Sequence, residues 1–358
     1  VSAQQKDPPK SLLDYLRLAG DHLRAKGVQN DRLDAELLLA EALGMSRVEL
    51  YTSHERPLST DEVDRFRELL RRRAAREPVA YILGKREFWS LELAVDRRVL
   101  IPRPETETLV ETAVRACTGR LAASTSPTRY ETEVVTTDAA AVESDAAAVE
   151  SGADASLRAG PAAKAVKAKA ERGVPLLAER VLDIGTGSGA VAVALAVELP
   201  GLNLVATDES AATLEVAPRN AQRHGVAERI DFRCGDLFTA LESDEVFDVI
   251  VSNPPYVKDD EISLMEPEVK DWEPRGALFS GADGMRETAR IIDGAPRHLK
   301  PEGWLLLEVG TQAEDVRARL ARGGWRDVRS FPDLAGRDRV VAARRPLDSA
   351  TTNGDEGG

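Results

Sequence analysis

The 358-residue chain reads as an α/β protein: a doubly wound, largely parallel sheet, preceded by a small helical bundle and a β-hairpin linker. Three patterns predict this. Residues 11–77 repeat apolar side chains at helical spacing, residues 89–96 alternate apolar with polar, and from Arg180 onward short apolar runs alternate with helical ones.

In the first segment Leu12, Tyr15, Leu16 and Ala19 fall on one helical face, as do Leu37, Leu38 and Glu41-Ala42-Leu43 with their neighbours. Asn30 or Asp31 can cap the second helix and Gly44 can end it. Ser59-Thr60-Asp61-Glu62 carries the spacing of a capping box, opening a basic helix that stops before Pro78. A bundle of roughly four to five helices is expected over 11–85. Next, Trp89, Leu91, Leu93 and Val95 alternate with Ser90, Glu92, Ala94 and Asp96, the pattern of a half-buried strand. Asp96-Arg97-Arg98 is expected to turn the chain and Val99-Leu100-Ile101 to pair back, giving a hairpin linker over 86–104. Pro102 and Pro104 close it, and a helix is expected over Glu105 to Ala116.

Residues 118–178 change character. They are rich in Ala, Ser, Thr, Glu and Lys, hold Tyr130 as their one aromatic, and repeat Asp-Ala-Ala-Ala-Val-Glu-Ser from Asp138 and again from Asp145. Such a stretch cannot bury enough apolar area to offset its ordering entropy, so a disordered insertion is expected, with similar behaviour at 1–10 and 347–358. The insertion interrupts a second domain over 105–346. There the apolar runs 181–184, 202–207, 230–233, 247–252, 304–309, 328–332 and 339–343 read as strands, and 190–199, 211–224, 285–299 and 313–322 as helices.

Charge narrows the partners. The net charge of −13 opposes binding to a nucleic-acid backbone over the molecule as a whole. The basic run Arg65, Arg67, Arg71, Arg72, Arg73 and Arg76 is read as a solvated helix face. Cys117 and Cys234 form no disulfide framework, and no His/Cys cluster suggests a metal. No stretch approaches the roughly 18 apolar residues of a membrane span, and no apolar signal core stands at the N-terminus. A soluble cytoplasmic chain, a monomer without membrane or direct nucleic-acid contact, is expected.

Three motifs carry chemistry. Gly185-Thr186-Gly187-Ser188-Gly189 follows a strand and opens a helix, where glycines permit a tight turn and close approach of backbone N–H groups to a ligand. Asp208 ends the next strand, placed to accept from ribose hydroxyls; the pair indicates an adenosine-containing cofactor without choosing the chemistry. Asp236, in Cys234-Gly235-Asp236-Leu237-Phe238, can accept from an adenine amino group while Leu237 or Phe238 packs on the ring. Asn253-Pro254-Pro255-Tyr256 ends an apolar strand and chooses the reaction. The prolines stiffen the loop, the Asn253 side-chain oxygen and the Pro254 carbonyl can each accept from one planar NH2, and Tyr256 offers a ring to stack on it. Catalysis then needs orientation and electrostatics rather than a strong base.

With these residues stand Arg86-Glu87-Phe88, Ile101-Pro102-Arg103-Pro104-Glu105-Thr106-Glu107, Glu273-Pro274-Arg275-Gly276-Ala277-Leu278, and Glu308-Val309-Gly310 with Gln312. Together they resemble the release factor glutamine N5-methyltransferase (HemK/PrmC) family over about residues 11–117 and 179–345. The resemblance implies a seven-stranded Rossmann-like class I methyltransferase domain behind a helical domain that recognises the partner. It implies S-adenosyl-L-methionine as cofactor and, as substrate, the glutamine of the Gly-Gly-Gln loop in class 1 peptide chain release factors. Gly185–Gly189, Asp208, Asp236, Leu237 and Asn253 would line the cofactor, Asn253–Tyr256 would hold the glutamine amide, and Arg103 and Glu105 would close the cofactor's methionine end. The chain departs from the pattern at Pro218, expected to kink or shorten its helix, and at Leu237, which stands where an aromatic would stack. Two rivals are an adenine-N6 methyltransferase, disfavoured by the acidic charge balance, and a nucleotide-binding regulatory module, which leaves Asn253–Tyr256 without a purpose.

Overall fold

The computed structural model describes residues 11–123 and 176–346. Residues 11–83 form five helices: α1 (Leu12–Ala25), α2 (Asp31–Leu43), α3 (Arg47–Thr52), α4 (Thr60–Ala74) and α5 (Val79–Leu83). Local chemistry sets their ends. Ser11, Ser46 and Ser59 each accept from the N3 amide while Asp14, Glu49 and Glu62 reach back, so all three starts are reciprocal capping boxes. Gly44 stops α2 in the left-handed region at φ 65°. Asn30 occupies the α2 cap position but makes no side-chain capping bond. Leu12, Leu23, Leu38, Leu39, Leu50 and Phe66 are fully buried among these helices.

The basic run of α4 is a solvated face only in part: Arg65, Arg67 and Arg71 are exposed. Arg73 is buried, with Nε donating to Asp34 at 2.7 Å and Nη2 to Glu268 at 2.7 Å, and Arg76 pairs with Glu266 and Glu268. Asp34 and Glu268 are brought from distant sequence, so no local pattern could reveal them as partners. These pairs clamp the bundle to α10 (Pro267–Lys270), which follows the Pro-Pro corner.

The hairpin exists, but one turn earlier than expected. Strands β1 (Lys85–Phe88) and β2 (Leu91–Ala94) pair antiparallel with Phe88 opposite Leu91, and Trp89 and Ser90 turn the chain at φ 52° and 58°. Two successive positive φ angles match the twist of a tight hairpin. The Trp89 amide donates to Glu107 at 2.9 Å, so tertiary contact supports a turn that lacks the usual Asn or Gly. Val99-Leu100-Ile101 pairs with no strand; Val99 and Ile101 instead pack with Tyr81, Val95 and Val216. Phe88, Leu91 and Leu93 enter the main core, so the hairpin is packed into the sheet domain.

Helices α6 (Glu107–Cys117) and α7 (Arg120–Ala123) follow. Both ends of the stretch 118–178, expected to be disordered, are instead ordered: Leu121 and Ala178 are buried, and the amides of Leu177 and Ala178 both donate to the Cys117 carbonyl. The remainder of that expectation, at 124–175, and those at 1–10 and 347–358 lie outside the described residues.

The sheet has seven strands: β3 (Arg180–Ile184), β4 (Asn203–Asp208), β5 (Ile230–Cys234), β6 (Phe247–Ser252), β7 (Leu299–Glu308), β8 (Arg326–Pro332) and β9 (Asp338–Arg344). Their order is β5-β4-β3-β6-β7-β9-β8; the first five are parallel, and β9 runs antiparallel to both neighbours. Alternate side chains face opposite layers, as a strand requires. Val181, Leu204, Val249 and Leu306 meet α6 and α8 (Ala190–Glu198), while Leu182, Val205, Ile250 and Leu305 meet α11 (Arg286–His298) and α12 (Ala313–Arg322). The helix expected over 211–224 is a 3₁₀ turn at Thr213–Glu215 followed by α9 (Ala217–Arg223). Pro218 therefore shortens it, sitting in the first turn, where its missing N–H has no helical acceptor to lose.

Candidate active site

Strand order reverses between β3 and β6, whose carboxyl ends diverge into loops leading opposite ways. That is where an open α/β sheet leaves a crevice. A cleft of about 410 Å³ lies there, lined among others by Gly185, Gly187, Asp208, Leu237, Asn253 and Pro254. The glycine turn, the ribose-type carboxylate and the Pro-Pro corner thus share one cavity.

Gly185, Gly187 and Gly189 have φ of 71°, 58° and 79°, a region that excludes most side chains. The amides of Gly185 and Thr186 both donate to the Thr207 carbonyl, at 2.8 and 3.0 Å, which fixes the turn against β4. A Cβ built at Gly185 or Gly187 meets nothing within 4 Å, so those positions look into open space. At Gly189 it would lie 3.1 Å from the Ala217 Cβ; this glycine lets α8 approach α9 and does not line the cleft. Asn220, fully buried on α9, holds the turn from behind: its Nδ2 donates to the Ser188 and Ala94 carbonyls, and its Oδ1 accepts from the Ala94 amide.

Asp208 accepts from the amides of Gly187 and Ser210, each at 3.0 Å, and burial nevertheless raises its pKa. Beneath it Asp183, buried in β3, accepts from the Thr186 hydroxyl at 2.7 Å, and burial pushes its carboxyl up to about 7. At the far side of the cleft Asp236 pairs with Arg290 at 2.5 Å. Leu237 lines the cleft at φ 51°, whereas Phe238 turns away and stacks on His298 with 5.1 Å between ring centres. Of the two side chains considered for an adenine ring, only Leu237 faces it.

The corner leaves β6 after Ser252, whose hydroxyl donates to the Ile184 carbonyl at 2.8 Å and ties it to the glycine turn. Asn253, Pro254 and Pro255 line the cleft. Asn253 Nδ2 donates to the Thr106 hydroxyl at 3.2 Å, so the planar amide presents Oδ1 on its other side. Tyr256 does not line the cleft. Its ring packs so closely on Gly310 that a Cβ there would lie 2.8 Å from Cδ2, and its carbonyl would lie 2.5 Å from one on Gly284. Burial, then the nearby Glu308 charge, raise the Tyr256 pKa. Arg103 lines the cleft and Glu105 does not. The Arg103 guanidinium is held by buried Glu273, which also accepts from the Ile101 amide at 3.2 Å.

Several of these residues carried no assigned role in the sequence. Asp183 is a charge inside an apolar strand, a signal available but unused. Thr106, Glu273 and Glu308 stood within quoted motifs without a task, and Asn220 gave no local sign.

A seven-stranded sheet of this order, with a glycine turn and the Asn253–Pro255 corner opening into one cleft, defines the class: a Rossmann-like class I methyltransferase. Residues 14–84 match the PrmC N-terminal domain and residues 164–266 the methyltransferase small domain. A release factor glutamine methyltransferase of Rhodopirellula baltica is 36% identical over 347 residues, covering 96% of this chain and 100% of that one. One of Geobacter sulfurreducens is 38% identical over 336 residues, covering 94% and 96%. The chain belongs to the release factor glutamine methyltransferase family. Among solved structures, a release-factor-specific protein-(glutamine-N5) methyltransferase of Alicyclobacillus acidocaldarius is 25% identical, covering 69% of this chain and 95% of that one at a TM-score of 0.32. Among the described residues no helix is long and apolar enough to cross a membrane.

Proposed function

We propose that the enzyme transfers a methyl group from S-adenosyl-L-methionine to the side-chain amide nitrogen, N5, of the glutamine in the Gly-Gly-Gln loop of class 1 peptide chain release factors. Membership of the family supports the substrate. The observation that carries the chemistry is the opening of the Asn253–Pro255 corner into the same cleft as the glycine turn.

The cleft fits the cofactor's chemistry. The free space at Gly185 and Gly187 admits a ligand close to the backbone, and Thr186 and Ser188 complete that wall. Asp208 offers carboxylate oxygens to ribose hydroxyls, and Asp236 and Leu237 provide an acceptor and an apolar surface for the base. When bound, the cofactor supplies an electrophilic methyl group on a sulfonium. The protein's part is to aim the amide. Asn253 Oδ1 and the Pro254 carbonyl each accept one hydrogen of the substrate NH2, which fixes its plane and draws electron density onto nitrogen. Pro255 keeps the corner rigid, and Tyr256, wedged against Gly310, braces it. The nitrogen sheds a proton once it bears positive charge, so no strong base is required.

The net charge of −13 supports a protein partner over a nucleic acid, and two cysteines not paired with each other fit a reducing, cytoplasmic setting; the enzyme is proposed to act as a monomer. The test is mass spectrometry of release-factor peptides after incubation with enzyme and cofactor. One added methyl on the glutamine of Gly-Gly-Gln is expected; an unmodified glutamine refutes the proposal.

A further inference from the structure

Past the Pro-Pro corner the chain leaves the sheet and returns. Residues 257–281 form a loop closed at its neck: the Val257 amide donates to the Leu278 carbonyl at 2.9 Å, and the Ser280 amide to the Val257 carbonyl at 3.0 Å. Val257 directly follows Tyr256, so the neck adjoins the corner. On its way back the loop forms a wall of the cleft with Pro274, Gly276 and Ala277. Gly276 comes so near the end of β4 that a Cβ on it would lie 3.5 Å from Glu209 Oε1, one residue beyond Asp208.

Apolar burial does not hold this wall. Among residues 258–277 only Glu273 is buried, and the helical pieces Asp259–Leu264, α10 and Arg275–Ala277 are too short to be stable alone. Its anchors are charges. Glu273 accepts from the Ile101 amide and the Arg103 guanidinium, both of the linker. Farther out, Glu268 accepts from Arg73 Nη2 at 2.7 Å and from Arg76 Nε at 2.8 Å. Glu266 accepts from Arg76 Nη2 at 3.0 Å and from Gln29 Nε2 at 2.7 Å. These outer donors all belong to the helical domain.

Arg76 carries a second sign. Its φ is 67°, just past the end of α4, in the left-handed region where glycine is least strained. An arginine in that backbone is accounted for by what its side chain reaches: the two loop carboxylates, and the Gly27 carbonyl at 3.0 Å.

We propose that the helical domain has a part in building the cleft: Arg73 and Arg76, acting through Glu268, are positioning residues that hold residues 257–281 as the wall facing Glu209. The proposal rests on the reading of this cleft as the cofactor site. None of the three residues lines the cleft, and their action runs through the loop.

Arg76→Gly separates this role from a merely structural one. Glycine relieves the left-handed backbone while the guanidinium is lost, so the unfolding midpoint should stay within a few degrees. The amides of Val257 and Ser280 are expected to exchange with solvent roughly 10-fold faster, with those of β3 and α8 unchanged. Calorimetric affinity for S-adenosyl-L-methionine should fall on the order of 10-fold, because the closed wall is then populated only part of the time. Arg76→Lys keeps the charge without the planar fork and should lie between on both readouts. Unchanged neck exchange or unchanged affinity in Arg76→Gly overturns the proposal. So does acceleration spread evenly over the neck, β3 and α8, which marks a general loss of stability. If Arg76→Gly does not fold, Glu268→Gln, which removes the charge at nearly constant volume, decides through the same two readouts. Should the starting protein show no binding of S-adenosyl-L-methionine, the reading of the cleft falls, while the neck amides still decide whether Arg76 holds the loop.

Discussion

Asn253 stands where orientation is the whole of its contribution. Replacing it with Ala removes the side-chain oxygen that would hold the substrate nitrogen, while Gly185, Gly187 and Asp208, which line the same cleft, are unchanged. Asn253→Ala is therefore expected to lower kcat by at least about 10²-fold with cofactor affinity within a few-fold, measured by steady-state methylation and calorimetry. Asp183 gives a different residue-level expectation. Burial holds its folded pKa near 7, against about 3.9 when unfolded, so between these values the folded chain carries a proton that the unfolded chain has lost. The neutral carboxyl's contribution is complete below about pH 4 and is lost as pH rises towards 7, at about 1.4 kcal/mol per pH unit. Asp183→Asn should flatten that part of the curve. Urea unfolding of both proteins at about pH 5 and about pH 7 checks it, and equal slopes would show that Asp183 titrates normally.

At the scale of elements, helix α4 owes its place to charge as much as to its apolar stripe. Arg73 is buried between Asp34 of α2 and Glu268 of α10, and desolvation raises the Asp34 pKa even with the guanidinium beside it. Removing the cation leaves the Asp34 carboxylate without its partner in a dry site, while Glu268 keeps Arg76. Arg73→Ala should destabilise the protein by about 3–5 kcal/mol, whereas replacing the buried pair with apolar residues, as in Arg73→Met with Asp34→Leu, should restore much of that loss. Equilibrium unfolding measures both, and limited proteolysis within α10 would report loosening of the clamp. The glycine turn shows the same dependence on neighbours. Its three left-handed positions are similar in backbone, yet Gly185 and Gly187 serve the cleft and Gly189 serves the packing of α8 on α9. Motif spacing does not distinguish these two uses; the path of α9 does.

For the molecule as a whole, the described core of the sheet domain is built from residues on either side of 124–175. Leu121 is buried before that stretch, Leu177 and Ala178 are tied to Cys117 after it, and the cleft lies at the carboxyl ends of the strands. Replacing 124–175 with a short Gly/Ser joint is expected to preserve methylation within a few-fold and the unfolding midpoint within a few degrees. A deletion that begins at 118 and ends at 178 should fare worse, because it removes Leu121 and Ala178 from the core. Comparing the two deletions by thermal unfolding and activity separates a dispensable insertion from one that supports the fold.

Much of this architecture could be read from residues in order. The capping box at Ser59 is a contact between neighbours three residues apart, and strands such as Phe247–Ser252 are runs whose burial follows from their apolarity. The glycine turn, Asp208 and the Pro-Pro corner were legible for a related reason: each owes its chemistry to its own few residues and to the strand just before it. What depends on distant partners was not. The hairpin turns at Trp89-Ser90 because Glu107 accepts the Trp89 amide, Arg73 of α4 and Arg76 just beyond it meet Glu268 nearly 200 residues away, and the Asn253 amide meets Thr106 from the far end of the hairpin linker. Local sequence determined which groups this protein possesses and which stretches are strand or helix; only the folded chain, by removing those groups from water and bringing distant partners to them, decided which way they point.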